Sequence, residues 1–329
     1  MLKYAASVII YYMNLVFFDI ECASVHKTIA KICAFGYVLC DEQFNIIEKR
    51  DILINPKGGF HLTDRRGEHG LELPYDYGEF KKQPPFPAAY PFIKELLEDK
   101  NNLVFGHAIL NDVKYLDLET GRFRLPSFNF EFCDSQIMYM TAVNDFSRQF
   151  GLEYITADLN VNFTPHRAAD DAYATMKIVE ELCRRNNTDV FGLEKALGAR
   201  RGKICDHKVT KPTSRAFELY EKERTEARER RSRNRTEFYI YLSRRRRKKS
   251  GPLLGEVFTF SRMIEDDIEI SKDLVGRIYE LGGIYSQKLD DCTVYVCEDD
   301  DDTVRTKNAR QLRDMKIINL SQLKSMLYD

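Results

Sequence analysis

The sequence predicts an α/β protein in two globular parts: a mixed central sheet flanked by helices, then a small α/β module. Three observations predict it. Leu15–Ile20 is a continuous apolar run and Ile32–Leu39 and Ile46–Ile54 are further strand-like stretches, whose apolar density favours a central sheet covered by helices, at least on its inner strands. Ala172, Met176, Val179 and Leu182 recur at helical spacing within Ala168–Arg184. A charged stretch then runs to Ser250-Gly251-Pro252, a boundary signal, after which strand and helix patterns resume.

The elements follow in order. Asn55–Pro91 is rich in Gly, Pro and charge and reads as a long surface excursion, a feature often functional in enzymes. Pro91–Asp99 predicts a helix, and Leu103–Phe105 a short strand running into Gly106-His107. From Phe217 to Leu242 Glu and Arg dominate, and Glu218/Lys222, Glu226/Arg230 and Glu229/Arg233 are i,i+4 pairs that predict a solvated helix. The expected domains are a sheet domain over 13–190, a basic, largely helical linker over 191–250 and a small domain over 251–329. Met13 is the expected natural start, with residues 1–12 an upstream extension.

Composition narrows the function classes. The eight cysteines contain no CxxC pair, so neither a zinc site nor a disulfide framework is expected, and scattered thiols fit a reducing cytoplasm. The apolar run Tyr4–Phe18 is too short to span a bilayer, and no membrane partner is expected. The net charge of −1 conceals segregation, because residues 195–249 hold 20 Lys and Arg against 7 Asp and Glu. A polyanion is the natural partner for such a stretch, with Arg244, Arg245, Arg246 and Arg247 as candidate nucleic-acid contacts, although a solvated interdomain helix explains it equally.

The chemistry is carried by acids. Asp19-Ile-Glu21 sets two carboxylates at strand spacing, on one face of a buried strand. Like charges so placed push each other's pKa upward unless a cation joins them, although a strand ending in solvent would also accommodate the pair. Asp112 follows a strand that breaks into a helix and is equally well read as a first-turn helix residue. His166 and Asp171, five residues apart at the start of the helix that Ala168 opens, are close enough to face one cleft, although a lone His near a helix start is usually structural. An imidazole there has a pKa suited to taking a proton from water, while an acid set of this kind suits hard divalent cations.

Phe18-Asp-Ile-Glu21, Gly106-His-Ala-Ile-Leu-Asn-Asp112 and His166-Arg-Ala-Ala-Asp-Asp171 together resemble the DEDDh, or DnaQ-like, family of 3′→5′ exonucleases. The resemblance implies a ribonuclease H-like fold and two Mg²⁺ or Mn²⁺ ions. It also implies catalytic roles for the five residues: Asp19 bridging both ions, Glu21 and Asp171 on the nucleophile side, Asp112 on the second ion and His166 as general base. Asp134, in Cys-Asp-Ser, matches a supporting element, and Asp170 is set aside in favour of Asp171. Cys22, Ala23 and His107 are the implied contacts to the nucleic-acid end. Cys22-Ala23-Ser24 departs from the Thr-rich pattern of many relatives, and Ala108 and Asn111 are closer to the RNA-directed branch.

Ile278-Tyr-Glu-Leu-Gly282-Gly283, Cys292–Val296, Lys307–Leu312 and Ile317–Leu320 resemble successive elements of a BRCT domain, with Ser261 and Lys307 at positions that bind phosphate in that family. Arg262 replaces the usual Gly, and a generic small α/β domain remains the alternative. This module favours DNA 3′ ends as substrate, a repair or replication setting and a protein partner. An RNA exonuclease and a non-catalytic nucleic-acid-binding scaffold are the competing expectations.

Overall fold

In the computed structural model, residues 13–60, 73–161 and 165–329 are described, so the expected extension 1–12 and part of the excursion lie outside the described residues. The chain divides into two compact units at 221/222, and each is taken by itself.

In the first unit the elements are β1 (Asn14–His26), β2 (Ile29–Cys40), β3 (Ile46–Leu53), α1 (Tyr77–Lys82), α2 (Phe86–Glu98), β4 (Asn102–Gly106), α3 (Leu110–Phe123) and β5 (Phe130–Asp134). They continue as α4 (Ser135–Ala142), α5 (Leu152–Leu159), α6 (Ala168–Arg185), α7 (Val190–Leu197), β6 (Ala199–Arg200), β7 (Gly202–Cys205), β8 (Lys208–Thr210) and β9 (Thr213–Ser214). A seven-stranded sheet has the order β3-β2-β1-β4-β5-β7-β8. It is mixed: β1 is antiparallel to β2 but parallel to β4, and β5 is parallel to β4 but antiparallel to β7.

Alternation along β1 builds both faces. Leu15 and Phe17 enter one core with Met176 and Val179 of α6. Val16, Phe18 and Ile20 enter the other with Ile93 of α2 and Val113 and Leu116 of α3. Because strand side chains repeat every second residue, Asp19 and Glu21 continue the row begun by Leu15 and Phe17, on the face that α6 covers. The helix can lie against the sheet because β2 has Gly36 directly opposite Asp19; a Cβ there would stand 2.0 Å from the backbone of Ala168 and Ala169.

The expected linker boundary at 190 is corrected. Residues 191–214 form α7, β6, β9 and the β7–β8 hairpin that extends the main sheet, with Ile204 fully buried in its core. The next helix, α8 (Arg215–Arg244), is long and mostly solvated as the i,i+4 pairs predict, but Phe238 near its end is buried in the core of the second unit.

The second unit continues with β10 (Val257–Phe260), α9 (Arg262–Asp266), α10 (Ile268–Glu280), β11 (Ile284–Tyr285), β12 (Val294–Cys297), α11 (Val304–Gln311), β13 (Lys316–Asn319) and α12 (Leu320–Tyr328). Its four strands form a parallel sheet in the order β11-β10-β12-β13, around Phe258, Phe260, Val294 and Val296.

Candidate active site

The site collects where β1 outruns its parallel neighbour and α6 begins. Register places Phe17 against Phe105 of β4, so Asp19 and Glu21 project beyond the paired end of that strand. Asp112 lies in the first turn of α3 and is buried, and Asp171 lies in the first turn of α6, also buried. His166 precedes α6 in a left-handed backbone conformation (φ 64°), which a non-glycine residue adopts at some cost and which sets the direction of its side chain. Its backbone N–H donates to Asp171 at 3.2 Å, and its ring Nε2 stands 3.9 Å from a carboxylate oxygen of Glu153 on α5. The candidate ligand atoms of Glu21, His166 and Asp171 all lie within 4.8 Å of one another.

The electrostatics of this set ask for cations. Burial, then the neighbouring Asp51, pushes the Asp19 carboxyl up to about 7. Burial followed by the charges of Asp19, Asp171 and Asp51 raises Glu21 to about 9. Burial and Asp19 raise Asp171 to about 8, and the same two causes lead the rise at Asp112. Four acids that cannot ionise together are stabilised in their charged form by divalent cations, whose preference is for hard oxygen ligands. The donor set therefore fits Mg²⁺ or Mn²⁺ and lacks the thiolates of a structural zinc site.

Supporting residues hold these elements in place, and several are invisible in the sequence. The first N–H groups of α6 have no local cap, because Arg167 at the N-cap position contributes no side-chain bond. Ala169 N–H instead donates to Asp51 of β3 at 2.8 Å, and Ala168 N–H to the Tyr75 hydroxyl at 2.9 Å. Arg167 closes the arrangement with a 2.8 Å bond from Nε to Asp51. Asp134 caps α4 by accepting from Gln136 N–H at 2.9 Å, and it accepts from Ala108 N–H at 3.1 Å. It therefore ties β5 to the segment that leads into Asp112. Asp170 turns to Lys49 at 2.5 Å, away from the acid cluster.

Other predicted contacts are placed differently. Both ring nitrogens of His107 are engaged, with Ser135 Oγ at 3.1 Å and with the Phe150 carbonyl at 3.1 Å, and burial lowers its pKa to about 4. His107 is thus a neutral internal strut rather than a contact to the nucleic acid. Ala23 is fully buried among Cys33, Ala34, Phe80 and Ala168, while Cys22 is half-buried against the opposite core. In the second unit Ser261 is fully buried and caps α9, while Lys307 is exposed and pairs with Asp302 at 3.0 Å. Arg244, Arg245, Arg246 and Arg247 are exposed, with Arg245 also bonded to the Tyr241 hydroxyl at 2.9 Å.

A mixed sheet with helices on both faces thus carries a set of acids that converge where β1 outruns β4 and α3 and α6 begin. Residues 16–179, which hold the whole cluster, match the family model described as Exonuclease, and the first unit carries an exonuclease domain. No curated protein matches the chain. Among solved structures, one resembling it is the 3′-exonuclease of "3'-end specific recognition of histone mRNA stem-loop by 3'-exonuclease", 13% identical, covering 63% of this chain and 92% of that one at a TM-score of 0.48. The nuclease domain of 3'hExo, a DEDDh family member, bound to rAMP, is 15% identical over 55% of this chain and 95% of that one, at 0.43. E. coli exonuclease I in complex with a 5cy-dT13 oligonucleotide is 17% identical over 54% of this chain and 41% of that one, at 0.39. At these scores the likenesses decide neither substrate nor role.

Proposed function

We propose that the first unit is a metal-dependent 3′→5′ exonuclease. The observation that carries the reading is the approach of Glu21, His166 and Asp171 within 4.8 Å inside the exonuclease domain. Asp19 and Asp112 lie close enough to add to the charge on that cluster. Asp19, Glu21, Asp112 and Asp171 would hold two Mg²⁺ or Mn²⁺ ions, which supply charge neutralisation at the phosphate and a more acidic water. His166 accepts the proton of the attacking water at its ring nitrogen, with Glu153 oriented beside it.

The substrate we favour is a DNA 3′ end in repair or replication, a preference that rests on the BRCT-like pattern after residue 250. That module would recruit a protein partner. Its phosphate-binding variant loses support at Ser261, which is buried and caps a helix within the module. Gly106–Asp112 favours RNA as the second reading. No helix among the described residues is long and apolar enough to cross a membrane.

The test is parallel digestion of single-stranded DNA and RNA, each labelled at either end, with Mn²⁺. The reading expects mononucleotides released first from the 3′ end and faster on DNA. Equal or faster loss of RNA would transfer the preference to RNA, and internal cuts would remove the exonuclease assignment.

A further inference from the structure

One surface beside the acid cluster remains unexplained by the chemistry. Arg148, in the segment between α4 and α5, lays its guanidinium over the ring of Phe150 at 4.7 Å and over that of Tyr154 at 4.5 Å. The two rings are tilted at 40° with centroids 5.1 Å apart. Phe150 is buried and anchors the group, whereas Tyr154 is 47% exposed and Arg148 is exposed. Among the described residues Arg148 makes no ion pair, although exposed arginines elsewhere in this unit, such as Arg184 and Arg200, do.

Two links fix this surface to the candidate active site. The carbonyl of Phe150 accepts from Gln136 Nε2 at 2.7 Å and from the His107 ring at 3.1 Å, and His107 directly follows β4. On the other side Tyr154 adjoins Glu153, whose carboxylate is 3.9 Å from the His166 ring. The contact of the cation with both rings is favourable in itself, by about 0.5–1 kcal/mol at an exposed site, and it leaves an exposed ring and an unpaired cation side by side. Contact with the rings leaves the N–H groups of the guanidinium for an anion, since no ion pair among the described residues takes them up. An exposed aromatic ring next to such a cation is the combination that holds single-stranded nucleic acid without reading its sequence.

We propose that Arg148 and Tyr154 dock the single strand immediately upstream of the scissile phosphate, Tyr154 stacking on a base and Arg148 binding a backbone phosphate. The proposal rests on the exonuclease reading, since it supplies that site with its strand. It names a single-stranded tail as the substrate and applies to DNA and RNA alike, because every base has a face to stack.

The test compares a single-stranded oligonucleotide with the nitrophenyl ester of one 5′-nucleotide, which has no upstream strand. Tyr154→Ala should raise KM for the oligonucleotide about 10-fold, the scale of one base stack, with the ester rate unchanged. Tyr154→Phe should restore the KM. Arg148→Ala should raise KM too and lower the log–log salt slope of strand binding by about 1, the mark of one phosphate neutralised. Unchanged oligonucleotide KM in both alanine variants would overturn the platform. So would an equal loss on oligonucleotide and ester, which would mean that the residues only hold His166 in place. If the wild-type protein cut neither substrate, the exonuclease reading would fail, and strand binding by fluorescence anisotropy in wild type and Tyr154→Ala would still decide the platform.

Discussion

Gly36→Ala puts the packing of the site under the sharpest strain available with one methyl group. Gly36 is the register partner of Asp19, and the added Cβ would meet the Ala168 carbonyl carbon and the Ala169 nitrogen at 2.0 Å each. Both are backbone atoms, so no rotamer change relieves the clash. Ordinary contact begins near 3.4 Å, and the start of α6 must therefore move by more than 1 Å relative to β1. Asp171 and His166 travel with it, away from Asp19 and Glu21. Overpacking of this kind costs about 1–3 kcal/mol. The catalytic cost is larger in proportion, because a misplacement of about 1 Å lowers rates on the order of 100-fold. The assay is single-turnover release of mononucleotides from a 3′-labelled strand, run well below the melting temperature of the variant, beside thermal unfolding of the same sample. The prediction is a fall in rate of about 100-fold in protein that is still folded. Wild-type rate together with wild-type melting would refute the claim that the approach of α6 to β2 sets the site.

Further predictions follow from the same geometry. Asp51→Ala removes the acceptor of Ala169 N–H and the partner of Arg167, and should cost about 1 kcal/mol, the worth of a helix N-cap, in a thermal or denaturant melt; unchanged stability would show that α6 needs no cap from β3. Asp19, Glu21 and Asp171 bind protons in the folded state up to about 7, 9 and 8, but only to about 4 when unfolded. In that window the folded protein holds the extra protons, so what these three groups contribute to metal-free stability is fully present below about pH 4 and is lost as pH rises towards 9. Melting in EDTA should therefore drop from pH 5 to pH 8, less steeply in Glu21→Gln, and added Mg²⁺ should restore it at pH 8. A rise in melting temperature over that range that Glu21→Gln leaves unaltered would contradict the reading. Deleting Arg244–Lys249 should reduce the salt slope of nucleic-acid binding by about one unit for each phosphate the run neutralises, and an unaltered slope would leave that run without a role in binding.

Much of the site was legible because its members lie at short, regular spacings. Asp19 and Glu21 share a strand face by the period of two, and His166 and Asp171 share a helix start, so local geometry alone nearly joins each pair. What joins the pairs to one another was not legible. Asp51 reaches Ala169 across 118 positions and Tyr75 reaches Ala168 across 93, and neither carries a local pattern. Gly36 looks like any glycine in an apolar strand until the helix above it is known. His107 was placed at the site by its neighbours in sequence, but burial and two inward bonds give it a different task. The stretch 191–214 has the basic composition of a linker, and its strands of two to four residues are too short to show a period. Of the second sheet, β12 and β13 fall on stretches the sequence marks, whereas the burial of Ser261 is a property a sequence does not display.

The central claim is that the acids of β1 run a metal-dependent cut at a nucleic-acid 3′ end. Asp19→Ala tests it most directly, assayed beside wild type on a 5′-labelled single strand with Mn²⁺, with thermal melting to show that the variant is folded. The account predicts stepwise shortening from the 3′ end by the wild-type protein and its loss in the variant. Full activity in folded Asp19→Ala would contradict it.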